Sequence, residues 1–218
     1  MKKALFLNGG WDGHQPAAIY ELFERELRKR GVHASAAGSL DLLDDRDALS
    51  NFDLIIPNWT VGTITNKQEE NLAAVIAAGT GLAGIHGGMG DAFRNSTGFQ
   101  FMVGGQFVAH PDNEKPYRVS IANVDDPIVA GLKDFDVHTE QYFMHVDPSN
   151  RVLATTVAES VSAPWINGTV MPVAWTRRYG AGRVFYCSLG HKPQLFEHAT
   201  TLEMTLRGFL WAARGEAV

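Results

Sequence analysis

Leu82-Ala83-Gly84-Ile85-His86-Gly87-Gly88 is a short apolar run that stops in small residues. Residues 82–85 are too few for a helix and read as a buried strand, and the glycines beyond them read as a sharp turn into a helix. Such a turn requires left-handed or strained dihedrals and close backbone approach, which glycine tolerates and β-branched residues do not. Gly84-Ile85-His86-Gly87-Gly88 thus has the layout of a nucleophile elbow, G-x-S-x-G, with His86 in the nucleophile's place. The elbow presents His86 at the carboxyl edge of a sheet, where open α/β sheets bind ligands.

Reading outward toward the N-terminus, strand and helix signals alternate. Ala4-Leu5-Phe6-Leu7 is a buried strand stopped by Asn8-Gly9-Gly10. Pro16 opens a helix with Ile19, Leu22, Phe23 and Leu27 on one face, Arg28, Lys29 and Arg30 in its last turn and Gly31 at its end. Val32 to Ala37 and Asp53 to Pro57 read as strands, and Thr65 with Gln68 forms a capping box ahead of Leu72, Val75 and Ile76. Strand, helix, strand, helix, strand predicts a doubly wound, mostly parallel α/β sheet with right-handed crossovers.

Downstream the pattern changes. Tyr117 to Ile121, Phe135 to Val146, Val152 to Thr156, Met171 to Thr176 and Arg183 to Leu189 read as strands with no long helix between them, and Gly180-Ala181-Gly182 marks a hairpin. Extra antiparallel strands are expected in this half. Leu195, Ala199, Leu202, Leu206, Phe209, Leu210 and Ala213 then recur at helical spacing, giving a helix that covers the sheet. No repeat, low-complexity segment or linker divides the chain, so residues 1–218 are expected to form one domain.

Composition bounds the function. With 218 residues, 45% apolar and 20% charged, the chain is globular and sized for one core. Its 19 Lys and Arg against 24 Asp and Glu give a net charge of −5, and no basic run occurs, which argues against nucleic-acid or anionic-membrane partners. Only four apolar residues follow Met1-Lys2-Lys3, where a signal peptide needs roughly 7 to 15. A single cysteine, Cys187, sits in the apolar run Val184 to Cys187 and reads as a buried structural thiol, so a reduced, cytoplasmic protein is expected. In that setting the sequons at Asn58, Asn95 and Asn167 carry no meaning.

Candidate site residues cluster at predicted loops and strand ends. His14 precedes a helix N-terminus, where it either orients a ligand or caps the helix. His110, before Pro111, has no core to fill, and His191 follows the last strong strand. In the predicted strand over His138-Thr139-Glu140-Gln141-Tyr142, alternation puts His138, Glu140 and Tyr142 on one face, with Glu140 the best carboxylate candidate. His33, His145 and His198 read as surface or packing residues. Gly79-Thr80-Gly81-Leu82-Ala83-Gly84 matches G-x-G-x-x-G but lies between a helix and the next strand, the wrong place for a dinucleotide fingerprint. Without Ser or Cys at the elbow, a Ser-His-Asp hydrolase is disfavoured. A divalent ion such as zinc could be held by His14, His86, His110 and Glu140, although no H-E-x-x-H or C-x-x-C spacing marks such a site.

Six separated motifs then combine. They are Gly13-His14 with Pro16, Gly84 to Gly88, Gly104-Gly105 with His110-Pro111, Glu140 with Tyr142, Pro172 to Trp175 through Tyr179 to Tyr186 and Ser188 to His191, and Trp211-Ala212-Ala213. With these the chain resembles the ThuA-like, trehalose-utilisation family over nearly its whole length. The resemblance implies a class I glutamine amidotransferase-like, flavodoxin-like fold and a bacterial role in carbohydrate catabolism, often alongside a dehydrogenase that makes 3-keto-glycosides. Amidotransferases of this fold carry cysteine at the elbow. With His86 there, Cys-dependent glutaminase chemistry is not expected.

Three functions remain. In the first, the protein is an enzyme acting on a keto-sugar or 3-keto-glycoside, whose C3 carbonyl acidifies the neighbouring C–H. His86 or His191 is the base, Glu140 orients it or protonates a departing oxygen, and a metal or Tyr142 holds the enolate. In the second, it is a non-catalytic sugar-binding or regulatory protein in which Trp11, Trp59 and Trp165 stack on sugar faces and His14 and His110 bind hydroxyls. In the third, it is a metal-dependent hydrolase of an unmodified glycoside or amide. A small sugar is the expected partner, and a homo-oligomer is compatible with the sequence.

Overall fold

The computed structural model describes residues 1–215. Its elements run β1 (Lys2–Gly10), α1 (Pro16–Arg28), β2 (Val32–Ala37), α2 (Arg46–Ser50), β3 (Leu54–Thr60), α3 (Asn66–Ala77), β4 (Gly81–Ile85) and α4 (His86–Gly90). There follow α5 (Thr97–Val103), β5 (Gly105–Ala109), β6 (Glu114–Ile121), β7 (Phe135–Glu140), β8 (Phe143–Val146), β9 (Arg151–Val157), β10 (Val170–Tyr179), β11 (Gly182–Cys187) and α6 (Ala199–Ala212).

One sheet has the order β2-β1-β3-β4-β11-β10-β9-β6-β7. The first five of these are parallel neighbours, and each remaining pair is antiparallel. With β11 as the fifth parallel strand, the order is the flavodoxin-like 2-1-3-4-5, and the strand order reverses between β1 and β3. The antiparallel extension lies beyond β11, and Gly180-Ala181-Gly182 turns the β10–β11 hairpin as the sequence predicts.

Alternation along the buried strands feeds two cores. Ala4, Phe6, Leu54, Ile56 and Phe185 pack with Ile19, Phe23 and Leu27 of α1 and Met204, Leu206 and Phe209 of α6. On the opposite face Leu5, Leu7, Ile55, Leu82 and Val184 pack with Leu72, Val75 and Ile76 of α3 and Phe99 and Met102 of α5. Each fully buried Phe or Leu contributes about 1.5–3 kcal/mol, so the sheet is a rigid support for its loops. The capping box of α3 is formed: the Gln68 amide donates to Thr65 Oγ1 at 3.2 Å and the Thr65 amide to Gln68 Oε1 at 3.0 Å.

Three sequence expectations are corrected. Phe135 to Val146 is two strands: β7 belongs to the large sheet, whereas β8 pairs with β5 in a separate two-stranded sheet. Gln141 ends the first strand by donating to Thr156 Oγ1 at 2.8 Å and to the Val157 carbonyl at 3.0 Å. The C-terminal helix starts at Ala199, and Pro193–Glu197 is a separate 3-10 turn. The sequence reading had also passed over α5, capped by the Ser96 side chain on the Phe99 amide at 3.0 Å.

Candidate active site

The carboxyl ends of the parallel strands meet at one place. β1 delivers Trp11 and His14, β3 delivers Thr60 and Val61, β4 runs into His86, and β11 leads to Ser188 and His191. From the antiparallel side, β7 ends on Glu140 and the loop after β5 carries His110. Six of these residues, Trp11, His14, Thr60, Val61, His110 and Glu140, line a cavity of about 470 Å³ with Asp91, Arg94, Phe107, Asn113 and Tyr142.

His86 begins α4 with φ +43°, a left-handed conformation that a non-glycine residue adopts only under constraint. The Tyr186 hydroxyl donates to its carbonyl at 3.0 Å, and its Nδ1 donates to the Ser188 carbonyl at 2.8 Å. Gly87 has a second function: a Cβ there would lie 2.5 Å from His14 Cε1 and 2.8 Å from Nδ1. The glycine after the elbow therefore lets the His14 ring approach His86, with ring centroids 4.7 Å apart. His14 is fixed from outside by Thr60 Oγ1, 2.7 Å from its Nδ1.

Glu140 joins the imidazoles. Its Oε2 lies 3.1 Å from His86 Nε2 and 3.3 Å from His191 Nδ1, and its Oε1 lies 3.7 Å from His110 Nε2. The Tyr117 hydroxyl donates to the Glu140 backbone carbonyl at 3.0 Å. His191 Nε2 faces Glu114 Oε1 at 3.5 Å, and the Lys192 ammonium holds that carboxylate at 2.5 Å. Tyr142 stacks on His86, with centroids 4.0 Å apart. His14, His86, Glu140 and His191 are 8%, 1%, 7% and 8% exposed, so the centre is buried.

Burial governs the electrostatics. Desolvation, reinforced by the nearness of the His86 and His191 imidazoles, lowers His14 to about 3, and desolvation likewise lowers His86. Burial works against the charge of Glu140, yet the adjacent His191 and His86 hold it well below the usual carboxylate range. Burial raises Tyr142 well above the ordinary phenol value.

The structure brings together His14, His86, His110, Glu140, Tyr142, His191 and Trp11. Trp59 is not in a loop: it lies in β3, and its ring covers Gly9 and Gly62 rather than the cavity. Trp165 sits in a 3-10 turn, 81% exposed and away from the cavity wall. Tyr142 lies past the end of β7, and His138, though in register with Glu140, lines a different cavity with Glu114 and Lys192. The atoms able to hold a metal also differ from the expected set. One ligand atom each from His14, His86, Glu140 and His191 lies within 4.8 Å of the others, while His110 stands outside on the far oxygen of Glu140. Sequence reasoning missed Glu114, Thr60, Asp91 and Arg94. None of the four carried a usable local signal: Glu114 lies N-terminal to the strand read at Tyr117 to Ile121, and its place opposite Glu140 comes from the β6–β7 pairing.

Fold and site together define a flavodoxin-like α/β protein with a buried histidine–carboxylate centre at the carboxyl edge of its sheet. The model of the ThuA family, described as trehalose utilisation, matches residues 3–212, and the chain belongs to that family. No curated protein matches the sequence. Among solved structures, the chain is similar to a putative ThuA-like protein from Bacteroides uniformis (TM-score 0.79, 17% identity, 97% of this chain and 91% of that one). It is also similar to a putative ThuA-like protein from Parabacteroides merdae (0.76, 17%, 100% and 91%) and to a cytoplasmic protein of Salmonella typhimurium LT2 (0.64, 14%, 94% and 97%). At these identities the likeness is one of fold. Among the described residues no helix is long and apolar enough to cross a membrane.

Proposed function

We propose that this ThuA-family protein is an enzyme of carbohydrate catabolism that acts on a keto-sugar or 3-keto-glycoside by acid/base chemistry. The observation that carries the reading is the pairing state of the cavity carboxylates. Asp91 is locked by Arg94 through two hydrogen bonds of 2.6 and 2.8 Å, so Glu140 alone is available. Hydrolysis of an unmodified glycoside by side chains alone uses two free carboxyl groups flanking the bond. A C3 carbonyl relaxes that requirement, because it acidifies the adjacent C–H enough for an imidazole to remove the proton near pH 7.

His86 and His191 stand behind Glu140, outside the cavity lining, so His110 is the imidazole that reaches substrate, oriented by Glu140 Oε1. His110 takes the C2 proton and the bonding pair becomes the enolate at C3. That pair then either recovers a proton or expels the C1 oxygen, which leaves with the proton from His110. Tyr142, kept protonated by its burial, donates to the developing oxyanion, and Trp11 on the wall stacks against the sugar ring. The lone buried Cys187 and the likeness to a cytoplasmic protein support a cytoplasmic setting.

The test follows the C2 proton of a 3-keto-glucoside by NMR in D₂O, with wild-type protein and His110→Gln in parallel. Wild type exchanges or cleaves the sugar, and the variant is slower by about 10²–10⁴. An inert wild type refutes the reading. A second reading, metal-dependent hydrolysis of an unmodified glycoside or amide, is favoured by the clustering of His14, His86, Glu140 and His191. Release of glucose from unmodified trehalose would select it, and saturable sugar binding without turnover would select a binding protein.

A further inference from the structure

The buried imidazoles and one carboxylate turn polar atoms toward a common point. Ser188 offers only a carbonyl to His86 Nδ1, so that nitrogen carries a proton. The other ring nitrogen, Nε2, faces Oε2 of Glu140 at 3.1 Å. His191 repeats the arrangement: Nε2 points to the Glu114 carboxylate, while the buried Nδ1 has no hydrogen-bond partner and lies 3.3 Å from the same Oε2. In His14, Nδ1 is taken by Thr60. Three rings thus have one nitrogen tied to a carbonyl, a carboxylate and a hydroxyl, and one ligand atom from each ring and from Glu140 lies within 4.8 Å of the other three.

We infer that His14, His86, Glu140 and His191 form a centre for one first-row divalent cation of the zinc type, and that Glu114 is the positioning residue that orients His191. Outer-nitrogen hydrogen bonds of this kind fix the tautomer and direction of metal-binding histidines. Ligand atoms about 2.0–2.1 Å from an ion in tetrahedral array are about 3.3 Å apart. The two close contacts, 3.1 and 3.3 Å, match that separation. All four ligand atoms lie within 4.8 Å of one another, so the widest pairs close by up to about 1.5 Å when the ion binds. A shared proton satisfies one imidazole–carboxylate pair, but a cation satisfies all four atoms at once. Three imidazoles favour zinc, cobalt or nickel over magnesium and calcium, which take oxygen ligands.

The centre deepens the keto-sugar reading, because an ion held by His14 and Glu140, which line the cavity, would polarise a carbonyl oxygen that joins it as a fifth ligand, yet it is tested without any substrate. Protein stripped with chelator is titrated with Co²⁺, read by its visible d–d absorption, and the bound Co²⁺ is competed with Zn²⁺ and with Mg²⁺. One equivalent per chain, displaced by Zn²⁺ and not by Mg²⁺, is expected. His191→Ala should abolish the spectrum. Glu114→Gln, at a partly exposed side chain whose loss leaves the fold intact by circular dichroism, should shift the spectrum and weaken binding about 10- to 100-fold. The centre is overturned if folded wild type takes up no stoichiometric Co²⁺, or if both variants bind it as wild type does. Co²⁺ uptake without keto-sugar turnover sinks the substrate reading alone, and turnover by a protein that takes up no Co²⁺ sinks the centre alone.

Discussion

Replacing Gly87 with alanine tests whether the elbow glycine exists to admit His14. The added methyl would sit 2.5 Å from His14 Cε1, 2.8 Å from its Nδ1 and 3.1 Å from Thr60 Cγ2, close to an ångström inside ordinary contact at the nearest atom. The ring cannot yield freely, because its Nδ1 is the atom held by Thr60 at 2.7 Å. Overpacking of this kind costs about 1–3 kcal/mol, and stretching the hydrogen bond adds about 0.5–1.5. Gly87 does not have a positive φ, so alanine's better helix propensity returns up to about 1 kcal/mol. The net effect is a loss of about 0.5–3.5 kcal/mol, or about 1–14 °C in Tm for a chain of this length. Thermal unfolding by circular dichroism gives the first readout. A double-mutant cycle with His14→Ala gives the second: removing the ring relieves the clash, so the double variant is more stable than the two single losses predict. Additive losses, or a Gly87→Ala protein as stable as wild type, would show that His14 does not lie against the elbow.

Three further outcomes follow from the same structure. Tyr186→Phe removes the hydroxyl that donates to the His86 carbonyl at 3.0 Å, which leaves a buried acceptor short of a partner and lowers stability by about 1–3 kcal/mol in chemical denaturation; an unchanged midpoint would refute that role. Burial pushes the Cys187 thiol up to about 12, so a disulfide reagent at pH 8 labels no thiol in the native protein and one per chain after denaturation, and fast native labelling would contradict the packing. Hydrogen bonds from the Ser162 side chain and from the Val161 amide, 2.9 Å away, hold Asp112 well below the usual carboxylate range. Its folded pKa is depressed, so its contribution is present above the ordinary value near about 3.9 and is lost as pH falls below it, and Asp112→Asn should flatten the acid limb of the pH–stability curve in that window.

The parallel half of the fold was legible because each element there declares itself locally. Pro16 and Gly31 bracket α1, Thr65 and Gln68 cap α3, and the four glycines around His86 mark the elbow. The β7–β8 break was not legible, since Phe135 to Val146 keeps a strand-like composition throughout. What divides it is a tertiary contact, the Gln141 amide reaching Thr156 and Val157 on β9. For the same reason the sequence grouped His138 and Tyr142 with Glu140 by alternation. Topology instead puts Tyr142 on His86 and leaves His138 in another cavity. The histidines could be nominated one at a time from their loops, but that His191 rather than His110 completes the inner set depends on where β11 ends relative to β4, which no local pattern encodes.

Backbone strain picks out the same place independently of side-chain chemistry. Among the described residues, the non-glycine positions with positive φ are Gln15, Val61, His86, Phe93, Asp112 and Asn113. Val61 and Asn113 line the cavity, and His86 packs behind its lining residues His14 and Glu140. Gln15, Phe93 and Asp112 are immediate neighbours of the lining residues His14, Arg94 and Asn113. Such conformations cost on the order of 1 kcal/mol or more each and persist only where the surroundings over-determine them. Val61 shows how: its amide donates to the Asp91 carbonyl at 3.0 Å and its carbonyl accepts from the Phe93 amide at 2.9 Å, so a β-branched residue is held left-handed by the loop that carries Arg94. A fold stabilised by two large apolar layers on a nine-stranded sheet can sustain that cost. Asp112, which lines a second cavity, and Asn113 are residue types that take this conformation readily in turns. The strain that bears on the site is therefore that of Val61 on the cavity wall and of His86 in the buried imidazole–carboxylate cluster, two residues whose backbone the neighbouring loops over-determine.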